Sequence, residues 1–158
     1  MLFSSKLRLI SNPALVLKSP ETEAEWQQYY ALRYQVLRKP WLQPPGSERL
    51  SDDADAQHAI ALSPDGQVVG AGRLHTSAGG VGQVRMMAVH PAWQGKGVGR
   101  AVALYLEEKA RAQGLTELML EARETAIPFY TQLGYTGNER SYLLYGTIQH
   151  YTMRKKLQ

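Results

Sequence analysis

The strongest constraint on the fold lies mid-chain, where an almost wholly apolar run meets a glycine-rich turn and then an amphipathic stretch. Val84-Arg85-Met86-Met87-Ala88-Val89 carries a single charge. A run of that length without polar alternation reads as a strand buried on both faces, at the centre of a sheet. Past His90-Pro91-Ala92-Trp93, the segment Gln94-Gly95-Lys96-Gly97-Val98-Gly99-Arg100 opens a helix. Val98, Ala101, Val102, Tyr105 and Leu106 then recur at i, i+3, i+4, i+7 and i+8, which is the apolar stripe of a helix lying on a core. Glu107, Glu108, Lys109 and Arg111 are expected opposite that stripe or at its end, with Gly114 as the cap.

The flanking segments place this junction in a sheet. Ala14-Leu15-Val16-Leu17 reads as a short strand closed by Ser19-Pro20. A helix follows from Thr22 to about Arg38, its start marked by Thr22 and Glu25 at capping-box spacing. Lys39 to Asp55, with Pro40, Pro44, Pro45 and Gly46 and acidic Asp52, Asp53 and Asp55, reads as a long irregular loop of the kind that carries function. His58 to Leu62 and Gln67 to Thr76 flank a Ser-Pro-Asp-Gly turn and read as a hairpin. Ala78-Gly79-Gly80 turns the chain into the central strand. After the long helix come a fifth strand at Glu117–Ala122, a short helix from about Thr125 to Leu133 stopped by Gly134, and two strands from Tyr135 to Lys155 broken near Gly146. The order is β-α-ββ-β-α-β-α-β-β. Hairpins and helical crossovers both feed the sheet, so it must be mixed.

The junction also has chemical meaning. Glycine removes the Cβ that would hold a ligand off the backbone, and the first-turn N–H groups of a helix have no intrahelical partner. With the helix dipole they form an anion site suited to a pyrophosphate, and Lys96 and Arg100 add positive charge at its rim. The spacing is neither a Walker A loop nor G-x-G-x-x-G. A glycine-rich turn can also serve only to let the helix pack tightly on its strand.

Composition sets the outer limits. The 158 residues fit one domain, 1–158, and 44% hydrophobic with 20% charged residues is ordinary for a globular protein. The absence of cysteine excludes disulfides, thiolate zinc sites and a cysteine nucleophile, and no metal is expected. Lys plus Arg exceed Asp plus Glu by 18 to 14, and the pI is near 9.4, a balance that fits an anionic small ligand as well as nucleic acid. No aromatic-basic interleaving of a nucleic-acid-binding type is present, so no nucleic-acid partner is expected. Lys6 and Arg8 interrupt the apolar residues of Met1–Ile10, and no run of about 18 apolar residues occurs. The expected location is therefore cytoplasmic, without membrane insertion.

Met87-Ala88-Val89-His90-Pro91-Ala92-Trp93-Gln94-Gly95-Lys96-Gly97-Val98-Gly99 resembles the cofactor motif of the GNAT superfamily of N-acetyltransferases, with its Q/R-x-x-G-x-G/A core. Ala126-Ile127-Pro128-Phe129-Tyr130-Thr131-Gln132-Leu133-Gly134-Tyr135 is similar to that family's second signature, Phe-Tyr on a helix before a Gly-aromatic pair. The helix, strand and short helix between the two also fit. The likeness is clear over about 67–135 and weaker over 17–62. It implies an α/β (or α+β) single domain built on a mixed, mostly antiparallel sheet of six to seven strands flanked by helices, the GNAT-like acyl-CoA N-acyltransferase fold. The cofactor half would be about 67–135, and the acceptor side about 17–62 plus 136–156.

The same resemblance implies acetyl-CoA as co-substrate. Its pantetheine would lie between the fourth and fifth strands on backbone groups of Met87 and Val89, with Ala88 between them, and its pyrophosphate on Gln94, Gly95, Lys96, Gly97, Val98, Gly99 and Arg100. A backbone N–H would polarise the thioester carbonyl. Tyr130 matches the family's proton donor to the leaving thiolate and would also contact the cofactor. Packing against the cofactor is its other reading.

For the base that frees the acceptor amine, Glu121 on the fifth strand is the first candidate, against a structural ion pair with Arg123. His75 and His150 follow as lesser candidates, with His58 behind them and His90 read as part of a turn. Glu121-Ala122-Arg123-Glu124 departs from the Asn-bearing family pattern.

The acceptor would be a primary amine of a small molecule or protein. The helix face of Trp26, Tyr29, Tyr30, Arg33 and Tyr34, with Trp41 of the loop, is either core or the acceptor wall. Exposed beside the acidic loop, it would favour a cationic or aromatic amine. The alternative to an enzyme is a catalytically silent acyl-CoA-binding or regulatory module of the same fold. Pairing of C-terminal strands around Tyr142, Tyr145 and Tyr151 would make a homodimer.

Overall fold

The computed structural model describes residues 14–158, and the reading of Met1–Ile10 lies outside them. Seven strands form one sheet: β1 (Val16–Lys18), β2 (Gln57–Leu62), β3 (Val68–Thr76), β4 (Val81–Val89), β5 (Glu117–Arg123), β6 (Thr136–Leu144) and β7 (Ile148–Lys156). Their spatial order is β1-β2-β3-β4-β5-β7-β6. Only β4 and β5 run parallel, since the chain crosses between them through a helix; the other neighbours are antiparallel, and hairpins join β2 to β3, β3 to β4 and β6 to β7. Among the described residues no helix is long and apolar enough to cross a membrane.

Three helices flank the sheet: α1 (Glu23–Leu37), α2 (Val98–Ala112) and α3 (Ile127–Gln132). The α1 start is the expected capping box. Thr22 Oγ1 accepts from the Glu25 N–H at 3.1 Å, and Glu25 accepts from the Thr22 N–H at 3.3 Å. Such caps contribute about 1 kcal/mol by satisfying N–H groups the helix cannot. At the far end of α2, Gly114 adopts φ +80°, the left-handed conformation that closes a helix without Cβ strain.

Two cores lie on opposite faces of the sheet. On one, Val98, Ala101, Val102 and Leu106 of α2 pack with Ala59, Val69, Leu74, Val84, Leu118, Leu120 and Met153. On the other, Tyr29 and Leu32 of α1 pack with Ile60, Val68, Ala71 and Ala88. The α2 contact is close, since a Cβ on Gly72 would stand 2.7 Å from Met87 Sδ and 2.8 Å from Val102. Glu107 departs from the expected solvent face. It is 2% exposed, held by Lys155 Nζ at 2.8 Å and Arg111 at 3.3 Å. Lys155 also donates to the Leu133 carbonyl at 2.6 Å. The stripe is therefore wider than its apolar residues, because a paired carboxylate can be buried where a lone one cannot.

Candidate active site

The β4–β5 ladder covers only Val81↔Glu117 to Val84↔Leu120. Beyond it, Arg85, Ala88 and Val89 keep their β3 pairing, Met86 and Met87 fall at a register shift, and none of Arg85 to Val89 has a partner on the β5 side. The cause is local. Met86 adopts φ +58°, and the β3–β4 register shifts between Ala71 and Arg73, so β4 bulges at that point. Bulges bend a strand and raise its twist, which here carries β4 away from β5. A left-handed methionine costs on the order of 1–2 kcal/mol, strain that the surrounding packing must hold in place. The resulting cleft of about 190 Å3 includes Arg85, Met87, Glu121, Tyr130 and His150 in its lining.

Strand alternation assigns each lining residue to a face. Leu118, Leu120 and Ala122 belong to the α2-side core, so Glu121 and Arg123 project to the α1 side. Arg85 follows Val84 and projects to the α1 side as well. Past the bulge, Met87 and Val89 pack on the α2 side and Ala88 on the α1 side.

The glycine loop and Tyr130 lie on the α2 side. Gly95 and Gly97 have φ +75° and +83°, a backbone conformation that favours glycine, and at Gly95 a Cβ would stand in open space. Gly99 differs. Its Cβ would meet Phe129 at 3.2 Å and Val89 at 3.4 Å, so it serves close packing. Close packing, one of the two sequence readings of the loop, therefore holds at Gly99. Gly97 caps α2 without any side-chain hydrogen bond, and the first turn holds no acidic residue. Gln94, Lys96 and Arg100 are exposed beside it while Val98 is buried, and Lys96 Nζ stands 5.5 Å from the Trp93 ring. A helix start left open in this way is an anion site.

Tyr130 is 8% exposed, edge-on to Phe129 and Tyr135, and its hydroxyl has no hydrogen-bond partner among the described residues. Burial pushes that hydroxyl well above the usual tyrosine range, opposed by the positive charge of Arg123.

On the α1 side, Glu121 Oε1 accepts from Thr152 Oγ1 at 2.9 Å. The ion pair with Arg123 does not form; Arg123 lies over the Trp41 ring at 5.5 Å. His150 donates from Nδ1 to the Ile148 carbonyl at 3.0 Å, which leaves Nε2 as an acceptor, and its ring stacks on Tyr142 at 4.4 Å. Burial lowers its pKa, against the pull of that carbonyl. Arg38, Arg85 and Ile148 line the cleft without having been singled out from sequence, and Tyr142, named there only for strand pairing, lines it as well. Arg85 could have been, as the one charge in an otherwise apolar central strand.

The expected acceptor wall on α1 is corrected. Of that group only Trp41 lines the cleft, joined by Leu37 and Arg38 at the end of α1. Tyr29 and Arg33 are 0% exposed, and the acidic loop folds inward over them. Asp53 binds Arg33 at 2.9 Å and Arg73 at 2.7 Å, and Asp52 binds Arg73 at 2.7 Å. Burial would raise the Asp53 carboxyl, but the Leu50 N–H and both guanidinium groups hold it well below the usual range. Asp53, its side chain 10% exposed, is neutralised inside the protein, and Asp52 is paired with Arg73 although its side chain stays 40% exposed.

His58 belongs to the same network, between Tyr29 Oη at 2.6 Å and the Asp53 carbonyl at 2.9 Å. His75 lies outside the cleft lining, 3.8 Å from Asp52. His90 accepts from the Ala92 N–H at 3.1 Å as a turn cap.

Known proteins share this architecture. A Lactobacillus plantarum protein described as an N-acetyltransferase superposes with TM-score 0.81 at 24% identity, covering 92% of this chain and 99% of that one. An aminoglycoside 6′-N-acetyltransferase complexed with coenzyme A superposes with TM-score 0.76 at 15% identity, over 89% and 96%. These likenesses show the fold. In sequence, glucosamine 6-phosphate N-acetyltransferase of Trypanosoma brucei brucei is 34% identical over 83 residues, 49% of this chain and 56% of that protein. The chain spans about half the length of the curated relatives it matches. Residues 23–135, which hold α1, the glycine loop, the cleft strands and Tyr130, match the model of the Acetyltransferase (GNAT) family, and the chain belongs to that family.

Proposed function

We propose that the chain is an N-acetyltransferase that carries an acetyl group from acetyl-CoA to a primary amine by direct attack in a ternary complex. The observation that carries this reading is the gap where the β4–β5 ladder stops, with an uncapped helix start on its α2 side and a carboxylate on its α1 side. A coenzyme A complex exists for a protein of the same fold. The residues fit such a ligand. Gly95 leaves open space before the α2 start, and the free edge of Arg85–Val89 offers strand-like N–H and C=O groups.

Acetyl-CoA would supply a thioester, whose carbonyl is open to attack by a neutral amine. The chain's own groups do the rest. The loop N–H groups, with Lys96 and Arg100, would hold the pyrophosphate, and the Met87 and Val89 backbone would align the pantetheine arm. An N–H of that edge would bind the carbonyl oxygen as it gains charge. Tyr130, kept protonated by burial, has a proton to give to the sulfur. Glu121 is the proposed base: Oε1 is engaged by Thr152, and Oε2 has no donor among the described residues.

A silent acyl-CoA-binding module would have Tyr130 shut off from the gap, whereas Tyr130 lines it. The absence of cysteine suits a reducing cytoplasm. The test is thiol release from acetyl-CoA over a panel of primary amines. Turnover is expected with a subset of them; tight coenzyme A binding with no turnover on any amine would establish the silent module instead.

A further inference from the structure

Among its lining residues the cleft has three guanidinium groups, Arg38, Arg85 and Arg123, against one carboxylate, Glu121. Elsewhere, Arg33, Arg73, Arg111 and Arg154 each lie within 4 Å of a carboxylate. The three cleft arginines do not. Arg38 is braced by donating to the Ser47 carbonyl at 2.9 Å and the Leu37 carbonyl at 3.2 Å. Arg123 is spread over Trp41, and neither its guanidinium nor that of Arg85 donates a hydrogen bond to another described residue. Arg38, Arg85 and Glu121 all act electrostatically on the Tyr142 hydroxyl, and Arg123 and Glu121 on the His150 ring, so these charges converge on one space.

That space is separate from the pyrophosphate loop. Arg85 and Arg123 project to the α1 side of the sheet, whereas the glycine loop opens on the α2 side with its own cations, Lys96 and Arg100. Unpaired guanidinium groups gathered in a recess repel one another and lose hydration, a cost that an anion removes through charge-assisted, bidentate hydrogen bonds. Glu121 supplies the one group that would attract an ammonium. The recess is one part of the cleft of about 190 Å3, whose lining also includes Met87 and Tyr130, so it suits a compact molecule.

The geometry points to a small primary amine bearing an acidic group, carboxylate or phosphate monoester, as the acceptor, its anion held by Arg38, Arg85 and Arg123 and its amine directed to Glu121. This rests on the transferase reading above and opposes the cationic acceptor expected from the acidic loop.

The test uses pairs that share an amine and differ in one acidic group: glutamate and glutamine, O-phosphoethanolamine and ethanolamine, glucosamine 6-phosphate and glucosamine. Thiol release gives kcat/KM, and calorimetry on the coenzyme A-loaded protein gives Kd. At least one pair should favour its anionic member ten-fold or more, its phosphate and carboxylate cases separating the two anions. Arg85→Glu should erase or reverse that preference while coenzyme A affinity stays unchanged, and Arg123→Gln should weaken it. Selective anion binding without turnover of any compound would refute the transferase reading and uphold the anion site. Equal values within every pair, preference for spermidine, or no binding by any anionic member would overturn the inference.

Discussion

Gly97→Glu separates the ligand role of the glycine loop from its structural role. Gly97 sits at φ +83°, the left-handed region, so a side chain there pays backbone strain. That strain is about 1–2 kcal/mol for a left-handed L-residue. A carboxylate at an open helix start returns about 0.3–1 kcal/mol through the dipole. The net loss of about 1 kcal/mol should lower Tm by roughly 2–4 °C in a chain of this size.

The effect on affinity should be much larger. A carboxylate brought within about 5 Å of a bound phosphate costs about 3 kcal/mol per charge at an effective dielectric of about 20. That is about a hundred-fold in Kd. Gly97→Ala carries the strain without the charge and should lose less than ten-fold. Calorimetric titration with coenzyme A, paired with thermal melts, reads both quantities, and raising salt should narrow the gap between the variants. A folded Gly97→Glu protein with wild-type coenzyme A affinity would refute the pyrophosphate assignment.

Other expectations follow from the same geometry. Tyr130→Phe should lower kcat by about 10²-fold or more while the Kd of acetyl-CoA changes only a few-fold, if the hydroxyl gives up its proton. Unchanged kcat would reduce Tyr130 to packing. Glu121→Gln should depress kcat/KM for the acceptor and flatten the acid limb of its pH profile, whereas His150→Gln should keep that limb; the opposite pattern would move the base to His150. Asp53→Asn strips the carboxylate shared by Arg33 and Arg73, which are 0% and 1% exposed. It should cost about 3–5 kcal/mol in urea unfolding at neutral pH. The native Asp53 carboxyl titrates below its unfolded value of about 3.9, so its contribution is present above that pH and is lost as pH falls. The wild type should therefore destabilise more steeply on acidification than Asp53→Asn, and parallel curves would refute the buried network as the source.

Much of the architecture was legible because its signals are local. The capping box at Thr22 and Glu25, the Pro-Asp-Gly turn and the glycines at 95, 97 and 114 act within a few residues, and each produced the expected element. The apolar run Val84–Val89 marked the central strand. The placement of Tyr130 and Glu121 on one cleft followed once the two motifs were seen in order.

The acceptor side was not legible, because charge and aromatic content do not disclose which face they end on. Asp52 and Asp53 read as part of an acidic functional loop, whereas the fold sets them on Arg33 and Arg73, 20 or 21 positions away in the chain. Glu107 read as solvent-facing until Lys155 of the last strand met it. The bulge at Met86, which ends the β4–β5 ladder and opens the cleft, has no marker in the residue itself, since nothing about a methionine announces φ +58°.

By itself, then, the amino-acid sequence determined the order of elements, the family and the glycine-rich turn that starts α2, all set by short-range chemistry. Tertiary structure alone decided which charges are cancelled and which stay open. Burial is a property of the partner a residue meets, and Arg38, Arg85 and Arg123 met a cleft where Arg33 and Arg73 met carboxylates.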